Sequence, residues 1–521
     1  MSPNGLPLEQ EIRGSFINLY LNFFCVKLGI QIKVGSTSIP MKRPGEYQAS
    51  NREAVASSVA DFWNNLNKAR IVLKLSENFD KTTFASEPLS KYLKVEGNEI
   101  VLDDHVMLNA QDKLILNNGE TVIESPMSFA KFLRLHESPD GVVYGISTKE
   151  ILIKKSYLEM IQKIEDDRNN DGTKGCTIIG SPGIGKTHFA LYLAFYITRR
   201  YTETDIIYQQ SEEGNVITTL CINQQNRSVV KFPGGLGGEY QANSFYIADS
   251  IAPSRCKTIY TCLVTTPKNI RWHEFSKQED VMTYYAPIWT EDEIWNVWRS
   301  SEKYMRNITE DRVKELIKRW GCIPRRVFVE YNREPKISEI LPHCDVYSFL
   351  KNQGTDYNDN YSGKIIHIIP HSNFTDKNYV PASNEICEAM FRYYKNQTKQ
   401  QIIEIVRKFA RTSGAPLSGR FFEMMAHDVL RKGGKFKVRC LSNNNESELD
   451  LQELEFKHFD EINEITPGYY NIPKDPTFKS IDSLVPNRNG SNHLYQTTIA
   501  EKHNIKVMLV FVLVFSTIIT N

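Results

Sequence analysis

The chain has 521 residues, with 63 Lys and Arg against 62 Asp and Glu, and is 41% hydrophobic and 24% charged. These proportions exclude a disordered chain, a collagenous one, a polytopic membrane protein and a disulfide miniprotein, and at roughly 100–200 residues per domain the length suits three or four domains. A net charge of +1 leaves nucleic-acid binding open, because local patches act through their own field.

Nine cysteines are scattered from Cys25 to Cys440, with no CxxC pair and no Cys/His cluster at zinc spacing. That is the usage of free thiols in a chain that folds in a reducing compartment. Residues 15–30 (SFINLYLNFFCVKLGI) are apolar but contain two Asn and a Lys. They fit a buried helix or strand better than a signal peptide. In residues 61–74, Phe62, Trp63, Leu66 and Ala69 recur at helical spacing. Alternating runs such as EIVLDDHVML and DKLILNNGETVIES between residues 76 and 126 predict strands with an Asn-Asn-Gly turn. Residues 1–140 therefore read as an α+β region with no visible chemistry.

Residues 145–340 alternate strand and helix patterns and predict an α/β domain with a parallel sheet. Residues 341–380 are turn-rich and read as a linker, with GTDYNDNYSG an exposed loop. Residues 381–521 open with helices and turn to strand-like runs. They end in an apolar stretch at 507–519 (VMLVFVLVFSTII). It fits a core strand, a tail anchor, or sequence foreign to the fold. It falls short of the ~20 residues that span a bilayer, which argues against a membrane partner.

The segment 175–197 reads GCTIIGSPGIGKTHFALYLAFYI. A short apolar run suits a buried strand. Gly180, Ser181, Pro182, Gly183, Ile184, Gly185, Lys186 and Thr187 then make a complete G-x4-G-K-T phosphate loop, and a helical pattern follows through His188, Phe189, Leu191, Leu193, Ala194 and Ile197. Glycines let backbone N–H groups curl around phosphate oxygens, and the helix directs its positive end at the same oxygens. Lys186 is expected on the β- and γ-phosphates of a nucleoside triphosphate, ATP by preference, and Thr187 on Mg²⁺.

Such a site needs a carboxylate on the metal side. Residues 244–250 read SFYIADS, an apolar run ending in Asp249. This is the form of a strand whose terminal Asp holds Mg²⁺, although Asp249 as a simple strand cap is the alternative. Ser250 follows where a strongly hydrolytic ATPase carries a water-orienting Glu, so hydrolysis is expected to be slow or to take its base from elsewhere. The run TIYTCLVTTP at 258–267 predicts a strand that delivers Thr265 and Thr266 to its carboxyl end, as γ-phosphate sensors or as loop caps. Thr290 is a good N-cap for a helix over EDEIWNVW. In WGCIPRRV (320–327), Arg325, with Arg326 as the second choice, is placed to reach back to nucleotide or to form a surface ion pair.

Taken together, GSPGIGKT, FYIADS, YYAPIWTEDEI and WGCIPRR follow one another at spacings that resemble the P-loop NTPase module of Crinkler effectors and the related retrotransposon-hotspot proteins. The resemblance covers about 200 residues of the 521. It implies an AAA/STAND-like parallel sheet and, after it, a restriction-endonuclease-like α/β domain of the PD-(D/E)XK class. It also implies a secreted protein acting in the cytoplasm or nucleus of a host cell, on DNA or on a host protein. In the matching C-terminal region, GRFFEMMAHDVLRKGG (419–434) predicts a helix with Phe421, Met425 and Val429 on one stripe and Glu423 just inside its N-terminal part, His427 one turn on. KFKVRCL alternates as a strand. PTFKSIDSLVP carries Asp482, and HLYQTTIAEKH predicts a strand with Gln496 and Thr498. The resemblance implies a catalytic role for Glu423, Asp482 and Gln496, with Asp482 on a metal. Gln496 stands where a nuclease has its second acid and Thr498 where it has its Lys, with Lys502 or His503 as substitute bases, so the nuclease is read as degenerate. The family domain runs on beyond His503, so its last strand and helix are expected to be missing or replaced. The family's N-terminal Leu-Phe-Leu-Ala-Lys motif is not present; FAKFLRL at 129–135 shares letters but comes too late.

Residues 401–440 hold nine Lys and Arg against three Asp and Glu, and residues 441–465 one Lys against eight acids. The basic stretch suits phosphate contacts or pairing with the acidic stretch that follows it.

Overall fold

The computed structural model describes residues 53–498, apart from 75–90, 98, 112, 117–120, 124–129, 171, 212–216, 234–242, 254–257, 268, 355–361, 398, 441–444, 475–477, 479–480 and 489–490. The chain divides into two units, Met1–Gln48 and Ala49–Asn521, and everything below concerns the second. The apolar run at 15–30, the Asn-Asn-Gly turn, most of the GTDYNDNYSG loop, Lys502, His503 and the apolar tail lie outside the described residues.

The helix expected over 61–74 is shorter and starts earlier. It covers Ser57–Asn64, passes into a 3₁₀ turn at Leu66–Lys68 and gives way to a strand, Arg70–Lys74. Asn64, Asn65 and Asn67 disfavour a helix interior, and the β-branched pair Ile71–Val72 favours the extended chain. The apolar residues that suggested one helix, Phe62, Trp63, Leu66 and Ala69, are all buried. The strand joins a five-stranded antiparallel sheet in the order Leu93–Glu96, Glu99–Leu102, Arg70–Lys74, Ala130–Arg134, Glu150–Leu152. On it Lys74, Glu99, Arg134 and Glu150 form an ion-pair network, with Lys74–Glu150 and Arg134–Glu99 both at 2.7 Å.

The central layer begins with α1 (Lys155–Arg168) and continues through β1 (Gly175–Gly180), α2 (Lys186–Arg200), β2 (Ile206–Ser211), β3 (Ile217–Asn223), β4 (Ser228–Pro233), β5 (Phe245–Asp249), β6 (Tyr260–Thr265), β7 (Val281–Ala286), α3 (Glu291–Ser300) and α4 (Glu310–Trp320). The eight-stranded sheet has the order Glu53–Ala54, β4, β3, β2, β5, β6, β1, β7. The run β2-β5-β6-β1-β7 is parallel, whereas β3, β4 and the short first strand are antiparallel. The sheet is therefore mixed rather than wholly parallel as expected. β1, β5 and β6 are buried along their whole length, as strands covered on both faces must be. Their carboxyl ends lie side by side, with Ile179 opposite Thr265 and Asp249 opposite Val264.

Residues 341–380 are folded rather than a bare linker. They include helix Val346–Lys351 and a hairpin of β8 (Ile366–Pro370) and β9 (Lys377–Pro381), and they bury Phe349, Leu350, Ile366, Ile368 and Tyr379. After the hairpin come α5 (Asn384–Gln397), α6 (Lys399–Phe409), α7 (Ala415–Lys432), the ribbon β10 (Gly434–Arg439) with β11 (Glu446–Leu451), and a four-stranded sheet of β12 (Phe456–Phe459), β13 (Tyr470–Pro473), β14 (Ser483–Arg488) and β15 (Ser491–Tyr495). α7 begins four residues before the stretch that predicted it, with Pro416 in its first turn, so Glu423 sits mid-helix. Of the expected stripe Phe421 is buried, but Val429 is 48% exposed. Among the described residues no helix is long and apolar enough to cross a membrane, and Cys176, Cys221, Cys262, Cys322, Cys344, Cys387 and Cys440 are free thiols.

Candidate functional site

β1 ends at Gly180, and the chain turns sharply before α2 starts at Lys186. Gly183 and Gly185 both have left-handed backbone, φ +84° and +89°, a region that costs other L-residues roughly 1–2 kcal/mol. The oxygens of the turn are held by outside donors. Lys186 Nζ donates to the carbonyls of Gly180 (3.0 Å) and Ser181 (2.8 Å). The Arg325 amide reaches Gly183 O at 3.3 Å, Trp289 Nε1 reaches Ile184 O at 2.8 Å, and the Tyr157 hydroxyl reaches Gly185 O at 2.9 Å. The Ser181 hydroxyl accepts the Ile368 amide of β8 at 3.0 Å. A turn whose carbonyls face outward offers its opposite side, with the N-terminus of α2, to an anion.

On that side Thr187 and the carboxyl of Asp249, at the end of β5, lie close together on the wall of one cleft. Asp249 is buried, and burial lifts its carboxyl above the usual range against the nearby Thr187 hydroxyl, hydrogen bonds from Ser250 and Tyr208 and the charge of Lys186. Tyr208 donates at 3.5 Å and Ser250 Oγ at 3.1 Å. Ser250 is a non-glycine residue at φ +60°, the kind of strained backbone that clusters at functional sites. Thr265 and Thr266 end the neighbouring strand with buried hydroxyls that have no partner in the protein.

The chain after α4 closes the site. Residues Arg325–Val329 form a π-helical turn, a rare form often found at functional positions. It separates two adjacent arginines. Arg326 pairs with Glu330 and lies 4.9 Å from the Trp320 ring centre, while Arg325 packs so closely on the loop that a Cβ at Gly183 would fall 2.8 Å from Arg325 Cβ. The charge of Arg325, after desolvation, helps push the imidazole of His188 down to about 4. Pro182, Gly183, Lys186, Thr187, His188, Asp249, Thr266 and Arg325 line one cleft of about 820 Å³, which continues past Leu152, Trp289 and Val297 to Tyr304 and Phe328.

The residues expected on phosphate and metal are thus brought together. A hydroxyl and a carboxyl from two elements suit a magnesium ion, which keeps most of its waters and takes few protein oxygens, and the neighbouring ammonium suits the anion such an ion accompanies. Tyr157, Tyr208 and Trp289 belong to this site and were not anticipated. Trp289 lies inside the quoted YYAPIWTEDEI segment, but nothing in the spacing of Tyr157 or Tyr208 separates them from core tyrosines.

The second set of candidates lies on α7 and the last sheet. Arg420 Nη1 holds both oxygens of Glu423, at 2.8 and 2.7 Å, and His427 Nε2 lies 3.6 Å away. Burial works to raise the Glu423 carboxyl, but His427 and Arg420 outweigh it and the group is lowered. His427 Nδ1 and the Tyr470 hydroxyl are 3.0 Å apart, and Ser483 Oγ donates to the same hydroxyl at 2.6 Å. This chain runs from Glu423 to the neighbour of Asp482. Asp482 and Gln496 lie just beyond the ends of β14 and β15 rather than on them, and the Asp482 amide donates to Tyr495 O at 2.9 Å. Asp482 Oδ2 accepts the Thr497 amide (2.5 Å) and hydroxyl (2.8 Å). Both carboxylates are engaged by the protein itself, and among the described residues no group of three or more His, Cys, Asp or Glu is placed to hold a metal.

The last three cations of the basic stretch face countercharges of the acidic stretch that follows. In the β10–β11 ribbon Lys435 stands opposite Asp450, Lys437 opposite Glu448 and Arg439 opposite Glu446. No protein-family model matches the chain, and no curated protein is significantly similar to it.

Proposed function

We propose that this protein binds ATP with Mg²⁺ at the turn between β1 and α2, and that it is a Crinkler-type two-module effector in which this P-loop NTPase module regulates the C-terminal, nuclease-like module. The observation that carries the reading is the meeting of Thr187 and Asp249 beside Lys186. A parallel sheet in which β6 separates the loop strand from the strand of Asp249 supports it. The backbone N–H groups of residues 183–187 would cradle the β-phosphate. Lys186 would leave the carbonyls of Gly180 and Ser181 for the phosphate oxygens. Thr187 and Asp249 would hold the magnesium, which supplies charge neutralisation on the phosphates. Thr265 or Thr266 would read the γ-phosphate, and Arg325 would report whether it is present. No carboxylate follows Asp249, so turnover is slow.

For the C-terminal module a non-enzymatic role is favoured: a nucleotide-dependent binding surface for DNA or a host protein. Arg420 on Glu423, Thr497 on Asp482 and Gln496 in the place of an acid leave no open pair of carboxylates for a metal. Delivery from a secreting cell to a host cytoplasm or nucleus belongs to the resemblance, with which free thiols are compatible. The test measures binding of labelled ATP with magnesium, followed by Mg²⁺-dependent DNA nicking. Tight ATP binding that Lys186→Ala abolishes is expected, with no nicking above background. Absence of ATP binding would end the nucleotide reading, and nicking that Asp482→Ala removes would restore an active nuclease.

A further inference from the structure

We infer that Tyr157 and Trp289 are positioning residues for the phosphate loop, and that the buried ammonium of Lys154 holds the two rings in place; the inference rests on the nucleotide reading above. Tyr157 lies in the first turn of α1 and Trp289 between β7 and α3, so two elements far apart in sequence grip consecutive residues of one turn. Their polar ends donate to Gly185 O (2.9 Å), which also accepts the Phe189 amide of α2 at 3.0 Å, and to Ile184 O (2.8 Å). Those two carbonyls precede the N–H groups of Lys186 and Gly185. A peptide plane turns as a unit, so fixing the oxygen outward fixes the N–H inward. A flipped plane would offer phosphate an oxygen where it needs a donor.

Lys154 is 3% exposed. Its Nζ lies 5.0 Å from the Tyr157 ring centre, 5.6 Å from that of Trp289 and 4.0 Å from Glu293 Oε2. A cation within about 6 Å of an aromatic face is attracted to it, the more so when desolvated. Glu293 has a second task. Its Oε2 accepts the Thr290 amide at 3.0 Å and closes the capping box of α3, which fixes the backbone on the far side of Trp289. Tyr157 is fixed in turn by edge-on packing against Phe189 of α2, at 5.1 Å. An ion pair of a buried lysine with a partly buried partner gains little over an apolar replacement, so stability alone does not account for a lysine at this position.

The test is calorimetric titration of the full chain with magnesium–ATP and, separately, with magnesium pyrophosphate, which has no nucleoside. Tyr157→Phe removes one donor and keeps the ring; Trp289→Phe removes one donor and keeps an aromatic face of smaller size. Each is expected to weaken both ligands about fivefold, the size of one net hydrogen bond. Lys154→Met is expected to weaken both in the same ratio. Should Trp289→Phe fail to fold, Tyr157→Phe, a single hydroxyl, decides. If the unaltered protein binds neither ligand, the nucleotide reading itself is lost. If it binds both and the two variants match it within twofold, or lose ATP but keep pyrophosphate, the positioning role alone is overturned.

Discussion

Thr187, in the first turn of α2, lies beside the Asp249 carboxyl, which ends a strand two places from the loop strand in the sheet. On the proposed reading a hydrated divalent cation would sit between them. Thr187→Ala and Asp249→Asn are expected to remove most of the gain in ATP affinity that magnesium brings. The measurement is ATP affinity with magnesium and with a chelator. The unaltered protein should show a difference of at least about tenfold, or 1.4 kcal/mol, and the variants little or none.

Gly183 tests the shape of the loop without touching a charge. An alanine there must hold φ near +84° and place its Cβ 2.8 Å from Arg325 Cβ. The backbone term alone costs about 1–2 kcal/mol, and relief of the clash moves Arg325 away from the cleft. Gly183→Ala should lower ATP affinity about tenfold or more, whereas Gly172→Ala, in open surroundings with one ordinary contact at 3.5 Å, should not change it.

His367 predicts an acid limit to stability. It is 2% exposed, and burial, aided by the charge of Arg326, lowers its imidazole from 6.5 to about 4. The native state therefore keeps it neutral where the unfolded chain protonates. Its contribution is complete above pH 6.5 and is lost as pH falls from there towards 4, by a total of order 3 kcal/mol. Urea midpoints between pH 7 and 4.5 should show the fall, and His367→Gln, neutral throughout, should flatten part of it.

Tyr470 links α7 to the last sheet through His427 and Ser483, and all three are buried. Tyr470→Phe keeps the ring and strands two polar groups. It should destabilise the C-terminal module by about 1–3 kcal/mol, read as a lower urea midpoint, with ATP affinity unchanged. A variant as stable as the unaltered protein would show that His427 and Ser483 find other partners.

The strand, turn and helix around residues 180–187 were legible because their signals are local. Eight consecutive residues carry the turn, the ammonium and the hydroxyl, and the apolar runs on either side give the strand and the helix. The Asp249 strand was legible for the same reason. The grip of Tyr157 and Trp289 was not, because it depends on which rings the sheet order brings to the loop. The helix over 57–64 and the start of α7 at Ala415 were misplaced. Asparagines ended the first helix sooner than its apolar period did, and Pro416, which suits a first turn, opened the second earlier than its apolar stripe. The C-terminal carboxylates were found, but their engagement by Arg420 and Thr497 arises from a helix neighbour and a strand-end turn that no spacing announces.

The ribbon of β10 and β11 sets a limit on how this molecule meets a polyanion. Each of its three cations looks across the strands at an anion, about 5 Å away in such pairings. Seen from beyond the roughly 8 Å over which salt already damps a field, the row is a multipole of alternating sign with almost no monopole. The three cations of the ribbon are therefore nearly invisible at a distance, and a long-range pull on nucleic acid has to draw on other charges.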